Sequence, residues 1–182
     1  MKKVFMRLAA ICVAALAGMN VVNAQLQANS GKPEFEKTIK KEKEVITPDP
    51  LNDLEGINPK ALKRFSGQYK DAVAVSWEKI RNGFVAQFVS NGIRNKIFYT
   101  PKGNWSGSVK TYTEEKMLNQ TREIVKGKYY DYSIVLVEEL EIPDSDGVPT
   151  YIIYVENKDD FKLIRMFDME MEVWRQMVKR KS

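Results

Sequence analysis

The groups with the strongest claim to chemistry are three carboxylates close together, Glu138, Glu139 and Glu141, and an acidic turn, Asp144-Ser145-Asp146-Gly147. Paired carboxylates can divide acid and base work across a scissile bond when a pocket holds both. Here they alternate with Val137 and Leu140, the pattern of a strand with a solvated end. The acidic turn opens like a calcium loop. Such a loop needs an oxygen ligand at its fifth position and Glu at its twelfth, where Val148 and Val155 stand. A plain hairpin turn is the reading that remains. Lys126-Gly127-Lys128 reads as a helix C-terminus, because the flanking residues of a phosphate-cradling loop are missing. Ser66, Ser76 and Ser133 have no histidine to activate them, since the chain contains none. That excludes a Ser-His-Asp triad, a Cys-His dyad and His-ligated zinc or haem. The one cysteine, Cys12, lies in a leader segment. The sequence therefore assigns no catalytic residue, no metal ligands and no cofactor, and predicts a protein that is not an enzyme.

The ends of the chain say where it goes. Residues 1–24 read as a signal peptide: Lys2, Lys3 and Arg7 precede an apolar stretch too short to span a bilayer, and Val22-Asn23-Ala24 fits a cleavage site. Removing three positive charges lowers the formal net charge from +5 to +2, so nothing points to nucleic acid. No later stretch is long and apolar enough for a transmembrane helix. A periplasmic or secreted protein is expected. Residues 25–57 mix charges (Lys40-Lys41-Glu42-Lys43-Glu44) with Thr47-Pro48-Asp49-Pro50 and read as a flexible linker.

From residue 58 the elements sharpen. Asn58-Pro59 is a helix start, with Ala61, Leu62, Phe65 and Tyr69 on one face. Strands are expected at 73–80, with Val73, Val75 and Trp77 on one side, and at 84–90, 93–100 and 105–112. Asn91-Gly92 is a strong hairpin signal. Thr113 is expected to cap a second helix with Glu114 and Glu115 in its first turn and Met117, Leu118, Thr121, Ile124 and Val125 as its buried stripe. Strands follow at 133–142, 150–156, 161–168 and 172–178. The expected fold is α+β: two tandem helix-plus-four-strand repeats (58–112 and 113–182) forming one antiparallel sheet with helices packed on one face.

Ala72-Val73-Ala74-Val75-Ser76-Trp77, Phe84-Val85-Ala86-Gln87-Phe88, Asn91-Gly92 and Ile97-Phe98-Tyr99-Thr100-Pro101-Lys102-Gly103-Asn104-Trp105 together resemble the exported bacterial PepSY-like or beta-lactamase-inhibitor-protein-like (BLIP-like) domains. The second half fits through Tyr151-Ile152-Ile153-Tyr154 and Phe167-Asp168, but the glycine expected after them is replaced around Met169–Met171. The resemblance covers about residues 58–178. It implies a folding pattern and an exported domain of unknown function, with inhibitor-like topology rather than inhibition.

Pairing across Asn91-Gly92 sets Ser90 against Ile93, Phe88 against Asn95, Ala86 against Ile97 and Phe84 against Tyr99, an apolar face suited to the helices. Its reverse is mixed. In the second half the helix-facing set is read as Tyr151, Ile153, Val155, Phe161, Leu163 and Phe167, and the opposite set as Ile152, Tyr154, Ile164 and Met166. That opposite face is too apolar for free solvation, so either the chain or a partner covers it. The candidate binding residues are Phe98, Ile152, Tyr154, Met166 and Trp174. A non-catalytic binding module for a protein or peptide is the leading expectation. The alternative is a structural or assembly component of the cell envelope, acting as a homodimer through the same face.

Overall fold

The computed structural model describes residues 54–179. The leader, most of the linker and the last three residues lie outside the described residues, as does Cys12. The chain is already part of the fold at Ile57, which is buried in the first core cluster.

Helix α1, Pro59–Gln68, starts as its sequence dictates: the Lys60 N–H donates to Asn58 Oδ1 at 2.9 Å, and proline takes the first helical position. Asn58 also donates from Nδ2 to the Pro101 carbonyl at 2.9 Å, which ties the helix start to a turn between strands. Four strands follow: β1 (Val73–Ile80), β2 (Gly83–Ser90), β3 (Ile93–Tyr99) and β4 (Trp105–Tyr112). Asn91 and Gly92 both have positive φ, +51° and +74°, the geometry of a type I′ hairpin turn. The β2–β3 register pairs Phe84, Ala86 and Phe88 with Tyr99, Ile97 and Asn95, as the sequence predicts.

The second half departs from expectation at its start. Glu114–Lys116 is an isolated 3-10 turn, Met117 and Leu118 are extended, and helix α2 spans only Asn119–Lys128. Met117 leaves the helical path to enter the core, and Leu118 is exposed instead of joining a stripe. Thr113 makes no side-chain cap, and Gly127 lies within the last helical turn rather than beyond it. Strands β5 (Ser133–Glu141), β6 (Thr150–Glu156), β7 (Asp160–Phe167) and β8 (Glu170–Val178) complete the chain.

The eight strands of the described residues form one antiparallel sheet in sequence order, β1 to β8, so each connection between them is local. Side chains alternate between its two faces. Ala61 and Phe65 of α1 pack on Phe84, Ala86, Phe88, Ile97 and Tyr99. Val125 of α2 packs on Val137, Tyr151, Ile153, Val155 and Ile164. The pairing places both sets on the same face of the sheet.

Two sequence assignments of face are corrected. A bulge at Ala74, whose φ is +51°, shifts the β1 register between Val73 and Ser76. Val75 and Trp77 pack on the first core, whereas Val73 pairs with Val89 and is exposed. In β7 the expected parity is inverted. Met166 pairs with Tyr151 and Ile164 with Ile153, so both belong to the helix-side core; Phe161 pairs with Glu156 and Leu163 with Tyr154, on the other side. A one-residue offset flips a whole strand, and Leu163-Ile164 offers an apolar residue to either parity.

Between the two core clusters the helix-side face turns polar. Lys110 Nζ donates to Glu139 Oε1 at 2.8 Å and to Glu141 Oε1 at 2.9 Å, and Tyr112 OH donates to Glu139 Oε2 at 2.7 Å. Burial alone would lower the Lys110 pKa, but these bonds raise it overall. Burial also raises Tyr112, Tyr69 and Tyr151, and lifts Tyr99 to about 12. Each group holds its proton more tightly folded than unfolded. The stability that this proton uptake contributes is whole below the unfolded values and is lost as pH rises through the folded ones. Chemical unfolding followed from pH 8 to pH 12 should therefore show the midpoint falling above about pH 10. A flat profile would contradict the burial of these tyrosines. Tyr99 also has a fully buried hydroxyl with no hydrogen-bond partner among the described residues. Tyr99→Phe should match the parent at pH 8 or exceed it by up to about 1 kcal/mol, and should flatten the alkaline loss.

The β7–β8 turn supplies a further expectation. Asp168 and Met169 have φ of +47° and +67°, although neither is glycine. The left-handed conformation costs a side-chain-bearing residue about 1–2 kcal/mol, partly offset by glycine's greater entropy loss. Met169→Gly should raise stability by about 0.5–1 kcal/mol, read as a higher melting temperature.

Candidate functional site

The helix-free face is built from rows that run across the strands. One row passes from Arg94 (β3) through Thr111, Glu138 and Ile152 to Arg165 (β7) and Glu172 (β8). The next holds Leu136, Tyr154, Leu163 and Arg175. On the other side lie Lys96, Val109, Leu140, Thr150 and Phe167. Val109, Leu136, Leu140, Ile152 and Leu163 are buried at the base of this face. Half-buried aromatic and charged side chains rise among them: Lys96, Phe98, Glu138, Tyr154, Phe161, Arg165 and Phe167.

Tyr154 and Glu138 are coupled. The Tyr154 hydroxyl donates to Glu138 Oε2 at 2.9 Å. Burial pushes the Glu138 carboxyl up, opposed by that hydrogen bond and by the Lys96 charge. Burial and the neighbouring Glu138 also push the Tyr154 phenol up, so it stays a donor. The Tyr154 ring lies 6.0 Å from that of Phe161, tilted by 54°. Arg165 forms an ion pair with Glu172 across the β7–β8 ladder. The face thus combines an apolar base with aromatic side chains and fixed donors and acceptors, a composition that protein interfaces share.

The structure brings some of the expected residues together and separates others. Tyr154 and Ile152 are on this face, two positions apart on β6, with Ile152 only 3% exposed. Phe98 is on the same face but three strands and three rows from Tyr154, a separation on the order of 20 Å. Met166 is not on it: at 2% exposure it lies in the helix-side core. Trp174 is 45% exposed, at a shift in the β7–β8 register that leaves it no cross-strand partner. Sequence reading missed Glu138, Phe161, Leu163, Arg165 and Phe167 as members of this face. The signal that could have found them is Asn157, whose Oδ1 accepts the N–H groups of Asp159 and Asp160 at 2.9 Å. That turn sets Glu156 against Phe161 and so fixes the parity of β7.

The other chemical candidates resolve into structure. Glu138 faces away from Glu139 and Glu141, which both hold Lys110. Asp144–Gly147 is the turn joining β5 to β6, braced by Ser145 Oγ donating to the Ile142 carbonyl at 2.9 Å. A cavity of about 460 Å³ lined by Asp131, Glu156, Asn157, Asp159 and Lys179 lies at the β6–β7 turn. Three of its charged side chains are engaged: Lys179 Nζ bonds Glu156 Oε2 at 2.9 Å, and Asn157 Nδ2 donates to Asp131 at 3.2 Å. No helix among the described residues is long and apolar enough to cross a membrane.

No protein-family model matches the sequence, and no curated protein does. The fold, by contrast, has solved counterparts. A BLIP-like protein from Bacteroides fragilis superposes with a TM-score of 0.53 at 14% identity, over 69% of this chain and 89% of its own. A DUF2874 family protein from Bacteroides ovatus gives 0.53 at 14% identity, over 67% and 87%. A candidate periplasmic protein from Bacteroides eggerthii gives 0.52 at 19% identity, over 67% and 88%. The chain thus has the BLIP-like fold that its sequence motifs resemble.

Proposed function

We propose that the protein is an exported, non-catalytic binding module that holds a protein or peptide on the helix-free face of its sheet. The observation that carries this reading is the cluster of Tyr154, Phe161 and Arg165 over the buried Ile152 and Leu163. Aromatic residues and arginine over an apolar base are what binding hot spots are made of. The leader-like N-terminus supports export, as does the likeness to a candidate periplasmic protein. An inhibitor-like role is supported by the shared BLIP-like fold alone. The same order of one helix and four strands before and after residue 113 supports a tandem repeat. The test is retention of an envelope protein by the immobilised mature chain, compared with a Tyr154→Ala/Phe161→Ala variant. The variant should bind at least about 30-fold more weakly while its far-ultraviolet spectrum is unchanged. Undiminished retention would refute this site.

A further inference from the structure

Among the described residues strand β8 is paired on one side only, so the outer edge of its nine residues presents backbone groups that no other described strand pairs. It is also unusually apolar for an exposed edge: Val173, Trp174 and Met177 are 44%, 45% and 46% exposed. The opposite edge, β1, differs. Val73 is its one exposed large hydrophobic residue, and Val75 and Trp77 pack on the first core.

The β8 bulge gives this edge a particular charge pattern. Leu163 faces Arg175 and Ile164 faces Val173, with Trp174 the extra residue between. In a regular strand Glu172 and Arg175, an odd number of positions apart, would point to opposite faces. Because of the bulge, both pair with residues of the helix-free face, Arg165 and Leu163. An antiparallel copy of β8 can therefore be laid alongside with Val173 opposite Trp174 of the partner subunit. Glu172 then meets Arg175 of the partner subunit, and by symmetry Arg175 meets Glu172 of the partner subunit. In the same register Glu170 meets the partner's Met177 and Met171 meets the partner's Gln176, so no like charges oppose. A two-fold axis perpendicular to the sheet keeps the helix-free faces of both copies on one side, as an isologous interface requires.

We infer that this chain dimerises through β8, joining two eight-stranded sheets into one continuous sheet. The occupant of the edge is a second copy of the chain, selected by the Glu172–Arg175 complementarity. The interface lies at the β8 edge of the sheet, and Glu172 also pairs with Arg165 of the proposed binding face. Arg175→Glu leaves that pair in place and so separates a failure of the dimer from a failure of the binding site.

Sedimentation equilibrium of the mature chain and two charge reversals tests this. Arg175→Glu sets Glu against Glu at both symmetry-related positions, and Glu172→Arg sets Arg against Arg. Each variant alone should dimerise at least about tenfold more weakly than the parent. An equimolar mixture of the two restores both opposite-charge contacts and should recover the parental dimer. Arg175 is exposed and outside the Arg165–Glu172 pair, so the Arg175→Glu melting curve should stay near the parent's, while Glu172→Arg loses its pair with Arg165 and should melt slightly lower. A parent that is monomeric at every concentration overturns the inference. So does a dimer that neither reversal weakens, or a mixture that stays as monomeric as its components.

Discussion

Gly83→Ala is expected to cost more than about 3 kcal/mol of folding free energy, enough to leave little margin in a domain of this size. Gly83 closes the two-residue turn between β1 and β2 at a φ of +143°, and a Cβ there would lie 1.9 Å from the Tyr99 carbonyl oxygen. The obstacle is backbone, so no side-chain rotation relieves it. Tyr99 cannot retreat either, because it is fully buried and stacks on Trp77 with ring centroids 5.5 Å apart. Gly67→Ala is the natural control. It lies in α1 with nothing within 4 Å of a new Cβ, and alanine there should stabilise by about 0.5–1 kcal/mol. Urea unfolding of the two variants should bracket the parent from opposite sides. Equal midpoints would mean that the β1–β2 turn is not built this way.

The second large effect tests the parity of β7. Ile164→Asp should prevent stable folding, at a cost above about 4 kcal/mol, because position 164 has no solvent exposure and lies in a hydrophobic core cluster. Phe161→Asp, three positions earlier on the helix-free face and half-buried, should fold with a much smaller loss. The opposite ranking would restore the assignment in which Phe161 faces the helices and Ile164 the partner. The comparison is made on purified variants by thermal melts at neutral pH.

These two cases show where the fold was legible. The first hairpin could be read to the residue, because Asn91-Gly92 permits one turn type and the alternation of Phe84, Ala86 and Phe88 permits one face. The start of α1 was equally plain from Asn58-Pro59. The second helix was misread because Met117 looks like a member of a helical stripe. Its backbone is extended, and burial of its side chain outweighs continuation of the helix from Glu114. β7 could not be assigned from composition, since Phe161, Leu163 and Phe167 balance Ile164 and Met166. The candidate face was therefore half legible. Tyr154 and Ile152 were found from β6, but their true neighbours Phe161, Leu163 and Arg165 follow only from pairing. Bulges at Ala74 and Trp174 had no sequence mark, as neither position carries glycine.

We propose recognition on the helix-free face, around Tyr154, Phe161 and Arg165. It is tested most directly by placing a photoreactive benzoylphenylalanine at position 161 of the mature chain, and separately at the exposed Lys63 on α1, and irradiating each with the envelope fraction of the producing cells. One discrete adduct is expected from position 161, absent with Tyr154→Ala, and none from position 63. Adducts from position 63 with none from position 161 would contradict it.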